Sequence, residues 1–229
     1  MVFFDRGTIE LAGKPASEGL EIRRFVVSQV YTNCYAVISE GECLVVDPGE
    51  AGVEIARHLS DVHVRLVVAT HGHGDHVGGV KALVDATGAQ FAMNEADVEL
   101  ARHAADPAWS GFGRGYDDDA PAPDRLLSNG DEVCVGKARF RVLAAPGHTP
   151  GGIVLLGTGA AEGIAFVGDT IFAGAVGRTD LAGGSTPVLM DTLARLVDEI
   201  PGSTCLFCGH EDDTTMGWER SHNPYLRGL

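Results

Sequence analysis

The fold of this chain is decided by one short stretch, Ala69-Thr70-His71-Gly72-His73-Gly74-Asp75-His76-Val77-Gly78-Gly79. It carries four side chains of metal-ligand type within six positions, directly after the apolar run 66–68 and directly before the helix-like segment 80–86. A strand that ends in such a turn and continues into a helix presents these side chains at one edge of a sheet, where functional sites of α/β proteins usually lie. We interpret the stretch as half of a metal site.

The spacing within this stretch has a physical basis. Residues two apart at the end of an extended segment point the same way, so His71 and His73 can offer imidazole nitrogens to one ion. Asp75 and His76 follow where the chain turns into the helix, and they are available to a second ion. A glycine-rich turn without metal is the alternative, but four ligand-type side chains at this density make it the weaker interpretation.

Composition and charge limit the function. At 229 residues the chain can bury a substantial core, and we predict a single domain over residues 1–229. Its net charge of -15 disfavours a nucleic-acid or anionic-membrane partner, because basic patches hold both. We therefore expect a small-molecule substrate.

The N-terminus lacks the pattern of a signal peptide, and no apolar run approaches the ~20 residues that span a bilayer, so we predict a cytoplasmic location. The five cysteines are odd in number and sparse, unlike a disulfide framework. Cys205 and Cys208 match C-x-x-C but lie in an apolar, strand-like run. We interpret them as buried thiols.

Strand and helix patterns alternate along the chain, which indicates an α/β layer architecture. Strands are predicted at 22–28, 30–39, 43–47, 64–69, 89–93, 132–135, 138–143, 153–156, 164–167 and 204–207, and helices at 51–59, 80–88, 95–104 and 188–199.

The segment 106–124 interrupts this alternation. It is rich in Gly, Pro and Asp, and it carries Trp109, Phe112 and Tyr116. A loop of this length in a compact domain is often functional, so one interpretation makes it a lid or wall over the site. The other is a surface loop whose aromatic side chains pack on the core.

Three further predicted strands end in residues of ligand type, namely His148, Asp169 and His210. Each is weak evidence singly, but the repeated layout after the first cluster predicts that all three complete the same site. Asp47, before Pro48 and Gly49, either forms a simple turn or has a role in the site.

The H-x-H-x-D-H motif, followed in order by these three residues, resembles the metallo-β-lactamase-fold hydrolase superfamily over nearly the whole chain. Within it the chain is most similar to the glyoxalase II, or hydroxyacylglutathione hydrolase, group. The matching segments are Pro146-Gly147-His148-Thr149-Pro150-Gly151, Gly168-Asp169-Thr170, Gly177-Arg178-Thr179-Asp180 and Gly209-His210-Glu211. Because it stops 19 residues past His210, it resembles the short members that lack the C-terminal helical domain.

This resemblance implies a four-layer αββα sandwich with two divalent metal ions at one edge of its two sheets. By the family pattern, one ion is held by His71, His73 and His148. The other is held by Asp75, His76 and His210, and Asp169 bridges the two. The mixed imidazole and carboxylate ligands suit zinc, our first choice, and also iron or manganese.

The implied activity is hydrolysis of a hydroxyacyl thioester, such as S-lactoylglutathione, by a metal-bound hydroxide. Asp75 would orient the hydroxide or take its proton. Arg178 is the nearest residue that could bind an anionic substrate, and a structural salt bridge is its equal alternative.

Other functions share this fold. They are a persulfide dioxygenase with a single iron, a lactonase or another hydrolase, a nuclease, which the charge disfavours, and a binding protein that has lost turnover.

Overall fold

Two mixed β-sheets stack face to face, with helices on both outer faces. A computed structural model describes residues 3–5, 19–109 and 113–229, and Phe112 lies outside these ranges. The first sheet contains, in spatial order, β1 (Phe3–Asp5), β2 (Leu20–Val27), β3 (Thr32–Ser39), β4 (Glu42–Val46), β5 (His63–Val68), β6 (Gln90–Met93) and β7 (Arg125–Leu126). Strands β1 to β4 pair antiparallel, and β4 to β7 pair parallel.

The second sheet follows in the chain. It contains β8 (Glu132–Val135), β9 (Ala138–Ala144), β10 (Ile153–Gly159), β11 (Ile164–Gly168), β14 (Cys205–Cys208) and β15 (Thr214–Thr215), with β11 and β14 parallel. Its spatial order is β15-β14-β11-β10-β9-β8. A small hairpin of β12 (Ile171–Phe172) and β13 (Ala175–Val176) lies between β11 and β14 in the chain.

Short helices accompany the first sheet, and the longest helix, α5, follows in the second half of the chain. They are α1 (Gly52–His58), α2 (Gly74–Val77), α3 (Val80–Thr87), a 3-10 turn (Glu95–Asp97), α4 (Val98–Ala101), α5 (Thr186–Glu199) and α6 (Met216–His222). Pro187 lies in the first turn of α5, where a backbone N–H has no acceptor within the helix, so the missing N–H of proline costs no hydrogen bond.

Three apolar layers hold the sandwich together. Between the sheets, Tyr35, Phe166 and Phe207 lie with ring centroids 5.2 to 5.3 Å apart. Ile55 and Leu83 pack from α1 and α3 onto the first sheet, and a row of leucines from α5 packs onto the second. Strand β3 is buried throughout because the other sheet covers one of its faces and helices cover the other. The predicted four-layer αββα sandwich is confirmed.

Some predicted elements have different bounds. The strand predicted at 30–39 begins at Thr32, because residues before it form a turn with positive φ at Ser28 and Tyr31. The helix predicted at 95–104 is only the 3-10 turn and the single α-helical turn α4. No helix in the described ranges is both long and apolar enough to span a membrane. The single domain stays a prediction.

All five cysteines are free thiols. Cys205 faces the layer between the sheets, whereas Cys208 packs in the layer under α5, so both members of the C-x-x-C motif are buried as predicted.

Candidate metal centre

The seven predicted ligand residues meet at one edge of the sandwich. The turn after β5 supplies the first four, and the ends of β9, β11 and β14 are followed by His148, Asp169 and His210. Nδ1 of His73 lies 2.9 Å from Nε2 of His148, and Nε2 of His210 lies 3.1 Å from Oδ2 of Asp75. Residues up to 139 positions apart in the chain therefore share one cluster, as the strand-end pattern predicted.

The cluster divides into the two sets that the resemblance implies. The ligand atoms of His71, His73 and His148 lie within 4.8 Å of one another, and so do those of Asp75, His76 and His210. Asp169 lies between the sets, with Oδ1 3.3 Å from Nε2 of His76 and Oδ2 3.5 Å from Nε2 of both His148 and His210. This position suits a carboxylate that bridges two ions.

Four of the five histidines are held by their outer nitrogen, Nδ1. In His148 it donates to the carbonyl of Arg178 at 2.7 Å, and in His210 to the carbonyl of Val30 at 3.0 Å. Because a carbonyl can only accept, these two rings in their neutral form present the Nε2 lone pair to the centre. Ligating histidines commonly have such an outer partner, which fixes the tautomer and the ring orientation.

Asp47 orients the other two outer nitrogens. Its carboxylate accepts from the backbone N–H and hydroxyl of Thr70, both at 2.7 Å, and lies 2.9 Å from Nδ1 of His76. The Thr70 hydroxyl in turn lies 3.1 Å from Nδ1 of His71. Asp47 therefore forms the turn, with φ of 54°, and also connects a histidine of each set.

Two buried atoms in the cluster fit a metal on their chemistry. Among the described residues, Nε2 of His71 and Oδ1 of Asp169 are buried without a hydrogen-bond partner. Buried polar atoms nearly always have a partner, so these two require one that the protein does not supply. Imidazole nitrogen beside carboxylate oxygen is the donor set of a divalent transition metal.

The protonation of the cluster follows its burial and charge. Burial and the nearby His76 hold the pKa of His71 well below its usual value, and burial and His148 lower that of His73 to about 4. Burial opposes a proton on His210 as well, but Asp169 and Asp75 outweigh it and raise the pKa to about 10. His71 and His73 are thus neutral at pH 7 and can donate lone pairs.

One supporting residue escaped the sequence analysis. Asp97 is fully buried, and its carboxylate accepts from the backbone N–H of Gly72 at 2.9 Å and of Gly151 at 2.6 Å. It therefore joins the loop of His71 and His73 to the loop of His148. In the sequence Asp97 is marked only by its position shortly after a strand, in a turn capped by Asn94. Many exposed acidic residues have the same position, so the sequence does not single it out.

The described part of the 106–124 loop lies behind the ligand turn. Tyr116 is buried against Gly74 and Gly78, where an added Cβ would lie 2.4 and 2.5 Å from its side chain. No described residue of this loop lines the cavity above the cluster. The described part of the loop therefore follows the second interpretation, with the side chain of Tyr116 packed on the core.

Comparison with known proteins agrees with this geometry. Residues 27–210 match the model of the metallo-beta-lactamase superfamily. The chain belongs to this superfamily. An uncharacterized protein of Aquifex aeolicus is 39% identical over 211 residues, covering 91% of this chain and 98% of that protein. A hydroxyacylglutathione hydrolase of Haemophilus influenzae is 29% identical, covering 90% of this chain and 98% of that protein.

Solved structures of superfamily members are also similar. The B3 metallo-beta-lactamase BLEG-1 has a TM-score of 0.80 at 28% identity and covers 90% of this chain and 100% of its own. TTHA1623, solved in a di-iron-bound form, has a TM-score of 0.79 at 30% identity and covers 88% of this chain and 98% of its own. The chain thus has the fold and the ligand cluster of a metallo-hydrolase of this superfamily.

In this superfamily member, a cavity of about 510 Å³ opens above the cluster. Asp75, which the sequence analysis named as catalytic, lines it together with four other ligand residues. Arg178 also lines it, but the guanidinium makes two 2.7 Å contacts with Asp180. Arg178 thus lies at the cavity, as substrate binding would require, but its guanidinium forms the salt bridge that was the alternative interpretation.

Proposed function

We propose that this chain is a binuclear metal-dependent thioesterase of the glyoxalase II type, which hydrolyses a hydroxyacyl thioester such as S-lactoylglutathione. One observation carries the proposal. Five histidines and two aspartates converge at the floor of an open cavity, with the outer nitrogen of four rings already held by the protein. The name of the Haemophilus influenzae relative supports the thioester substrate.

Two divalent cations would lower the pKa of a water molecule and stabilise negative charge on the carbonyl oxygen and on the leaving sulfur. The first ion would be held by His71, His73 and His148. The second would be held by Asp75, His76 and His210, and Asp169 would be a ligand of both ions. Zinc is the first choice for these ligands, and the di-iron form of TTHA1623 keeps iron as the alternative.

The protein's own groups would position the reaction. Water adds its oxygen to the thioester carbonyl carbon, the carbon–sulfur bond breaks, and the products are a carboxylic acid and a thiol. Asp75 lines the cavity and would accept the proton of the attacking water; its Oδ2 also accepts from the hydroxyl of Thr32 at 3.5 Å. The Nδ1 hydrogen bonds of His148 and His210 keep both rings facing the cavity floor.

The net charge of -15 supports a small-molecule substrate in preference to nucleic acid or an anionic membrane.

The experiment is turnover of a thioester panel with the metal content of each preparation measured. We expect two metal ions per chain and hydrolysis of at least one thioester. Chelation should abolish hydrolysis, and added zinc should restore it. Oxygen uptake with a persulfide and one iron per chain would instead support the dioxygenase, and turnover restricted to lactones would support the lactonase.

Asp169→Ala tests the bridge. Outer partners of ligands are worth about 10–100-fold in metal affinity or activity, so losing a ligand shared by both sets should reduce turnover by about a hundredfold or more. Asp124→Ala is the matched control, because Asp124 is an exposed carboxylate that accepts one backbone N–H outside the site. Full activity in Asp169→Ala would refute the binuclear mechanism.

A further inference from the structure

The cavity above the metal cluster has two chemically different parts. Its floor is the ligand cluster, and its wall consists of the apolar side chains Val30, Tyr31, Phe172, Val176 and Leu181. Val30 and Tyr31 belong to the turn between β2 and β3, whereas Phe172 and Val176 belong to the β12–β13 hairpin. Two separate hairpins therefore supply an apolar wall to a site whose floor is polar.

Tyr31 is the most unusual member of this wall. It is 63% exposed, although large aromatic side chains usually pack into a core, and its φ of 58° lies in the left-handed region that bulky residues avoid. Unfavourable backbone conformations in folded proteins concentrate at functional sites. Because this exposed aromatic ring lines the cavity on a strained backbone, it is available to contact a ligand bound there.

The turn of Tyr31 is fixed to the metal cluster. The carbonyl of Val30, the preceding residue, accepts the hydrogen bond from Nδ1 of His210 at 3.0 Å. On the other side of the turn, the Asn33 side chain donates to the carbonyls of Cys208 and Glu211 at 3.1 and 3.0 Å. The position of Tyr31 relative to the reacting centre is therefore set by backbone contacts and does not depend on packing of its own ring.

The facing wall is fixed to the same histidine. The ring of Phe172 lies 6.2 Å from the ring of His210, centroid to centroid. His210 thus contacts the turn of Tyr31 through its Nδ1 and stands beside Phe172, so the two apolar hairpins flank the metal ligand.

The charges on the cavity wall, away from the ligand cluster, oppose an anionic carrier thiol. Among the described residues that line it, the basic side chain outside the ligand cluster is Arg178, and Asp180 holds that guanidinium in a two-contact ion pair. Glu211 adds a carboxylate to the same wall. Glutathione carries two carboxylates, and the Arg178–Asp180 pair leaves them little cationic charge to bind on the wall.

We propose that Tyr31, together with Phe172 and Val176, forms an apolar clamp that selects thioesters with an uncharged, apolar carrier over thioesters of anionic carriers such as glutathione. The clamp rests on the proposed thioesterase function and specifies its substrate class. Tyr31 contributes the face of its ring and not its hydroxyl, so phenylalanine replaces it.

The experiment compares two thioesters with the same lactoyl group, one carried by neutral N-acetylcysteamine and one by glutathione. The holoenzyme should have the higher kcat/KM for the neutral thioester. Tyr31→Ala should raise KM for that thioester about tenfold with kcat nearly unchanged, since an apolar ring contact stabilises ground and transition states alike. Tyr31→Phe should keep the wild-type values.

Two controls separate the clamp from folding defects. Tyr225→Ala removes a tyrosine that is 49% exposed and does not line the cavity, and it should leave both KM values unchanged. The melting temperature of Tyr31→Ala should match that of the wild type, because the ring is mostly exposed. Equal KM values in Tyr31→Ala and the wild type, or preference of the wild type for the glutathione thioester, would overturn the clamp.

A binding assay separates this inference from the proposed function. Non-hydrolysable thioether analogues of the two substrates are titrated calorimetrically into the metal-loaded wild type and Tyr31→Ala. If no thioester turns over but the neutral analogue binds more weakly to Tyr31→Ala, the thioesterase fails and the clamp stands. If thioesters turn over and the variant binds both analogues like the wild type, the clamp alone fails.

Discussion

Asp97 offers the sharpest test of how the two ligand loops are held in place. Its two carboxylate oxygens each accept one buried backbone N–H, one from Gly72 beside His71 and His73, and one from Gly151 beyond His148. Asp97→Ala removes both acceptors and leaves both N–H groups buried without a partner. Hydrogen bonds to charged groups contribute about 1.5–3 kcal/mol each, so we expect a loss of about 3–5 kcal/mol in the free energy of unfolding.

Asp97→Asn provides a graded second step. The amide oxygen can replace one acceptor, but the amide nitrogen then faces the other N–H, so we expect about half the loss of the alanine variant. Burial raises the pKa of Asp97, although the N–H groups of Gly151 and Gly72 act in the opposite direction. The asparagine variant keeps the size of the side chain but removes its negative charge and one of its two acceptors.

The assays are thermal unfolding of the metal-free protein and competitive zinc titration. For a chain of this size, 1 kcal/mol corresponds to about 2–4 °C, so Asp97→Ala should lower Tm by roughly 10 °C. Zinc affinity should fall most in the set of His71, His73 and His148, which both loops supply. Asp124→Ala is again the control. An Asp97→Ala protein that melts within about 2 °C of the wild type and keeps its metal would refute the argument.

Two further predictions follow from buried groups. Asp47→Asn should keep the fold, because asparagine tolerates the left-handed backbone at position 47. It should weaken zinc binding by about 10–100-fold, because the amide offers a donor where Nδ1 of His76 needs an acceptor, and equal affinity in a zinc titration would contradict this. Ellman's reagent at about pH 8 should modify one thiol per folded chain, that of the exposed Cys134, because burial shields the other four cysteines and raises the pKa of Cys43 to about 12. The rate of Cys134 modification should rise with pH as its thiolate forms. Rapid modification of several thiols would contradict this assignment.

The ligand positions could be predicted from the sequence because each is a local signal. His71 to His76 are dense in ligand types, and His148, Asp169 and His210 each follow an apolar run that can only be a buried strand in a chain of this composition. Parallel neighbours such as β11 and β14 then bring strand ends to the same edge without further information.

The supporting residues could not be predicted in the same way. Asp97 lies among other acidic residues, and its importance depends on two N–H groups, 25 and 54 positions away in the chain. Tyr31 was placed inside the strand predicted at 30–39, because the sequence around it gives no sign of the positive φ that the structure has there. Helix α6 was missed as well, because it is only seven residues long and its cap, the Thr215 side chain, belongs to a two-residue strand.

The distribution of the ligands over the fold links metal binding to the packing of the two sheets. The first sheet carries His71, His73, Asp75 and His76, and the second carries His148, Asp169 and His210, so each ligand set draws on both sheets. Two backbone hydrogen bonds also cross this edge: Asn33 N–H donates to the carbonyl of Gly209 at 2.7 Å, and Ile153 N–H donates to that of Thr70 at 2.8 Å. An ion held by both sheets binds more tightly when they are packed together, and it therefore stabilises the sandwich by an amount that grows with the metal concentration relative to its Kd. Metal loading and packing of this edge are for that reason coupled equilibria.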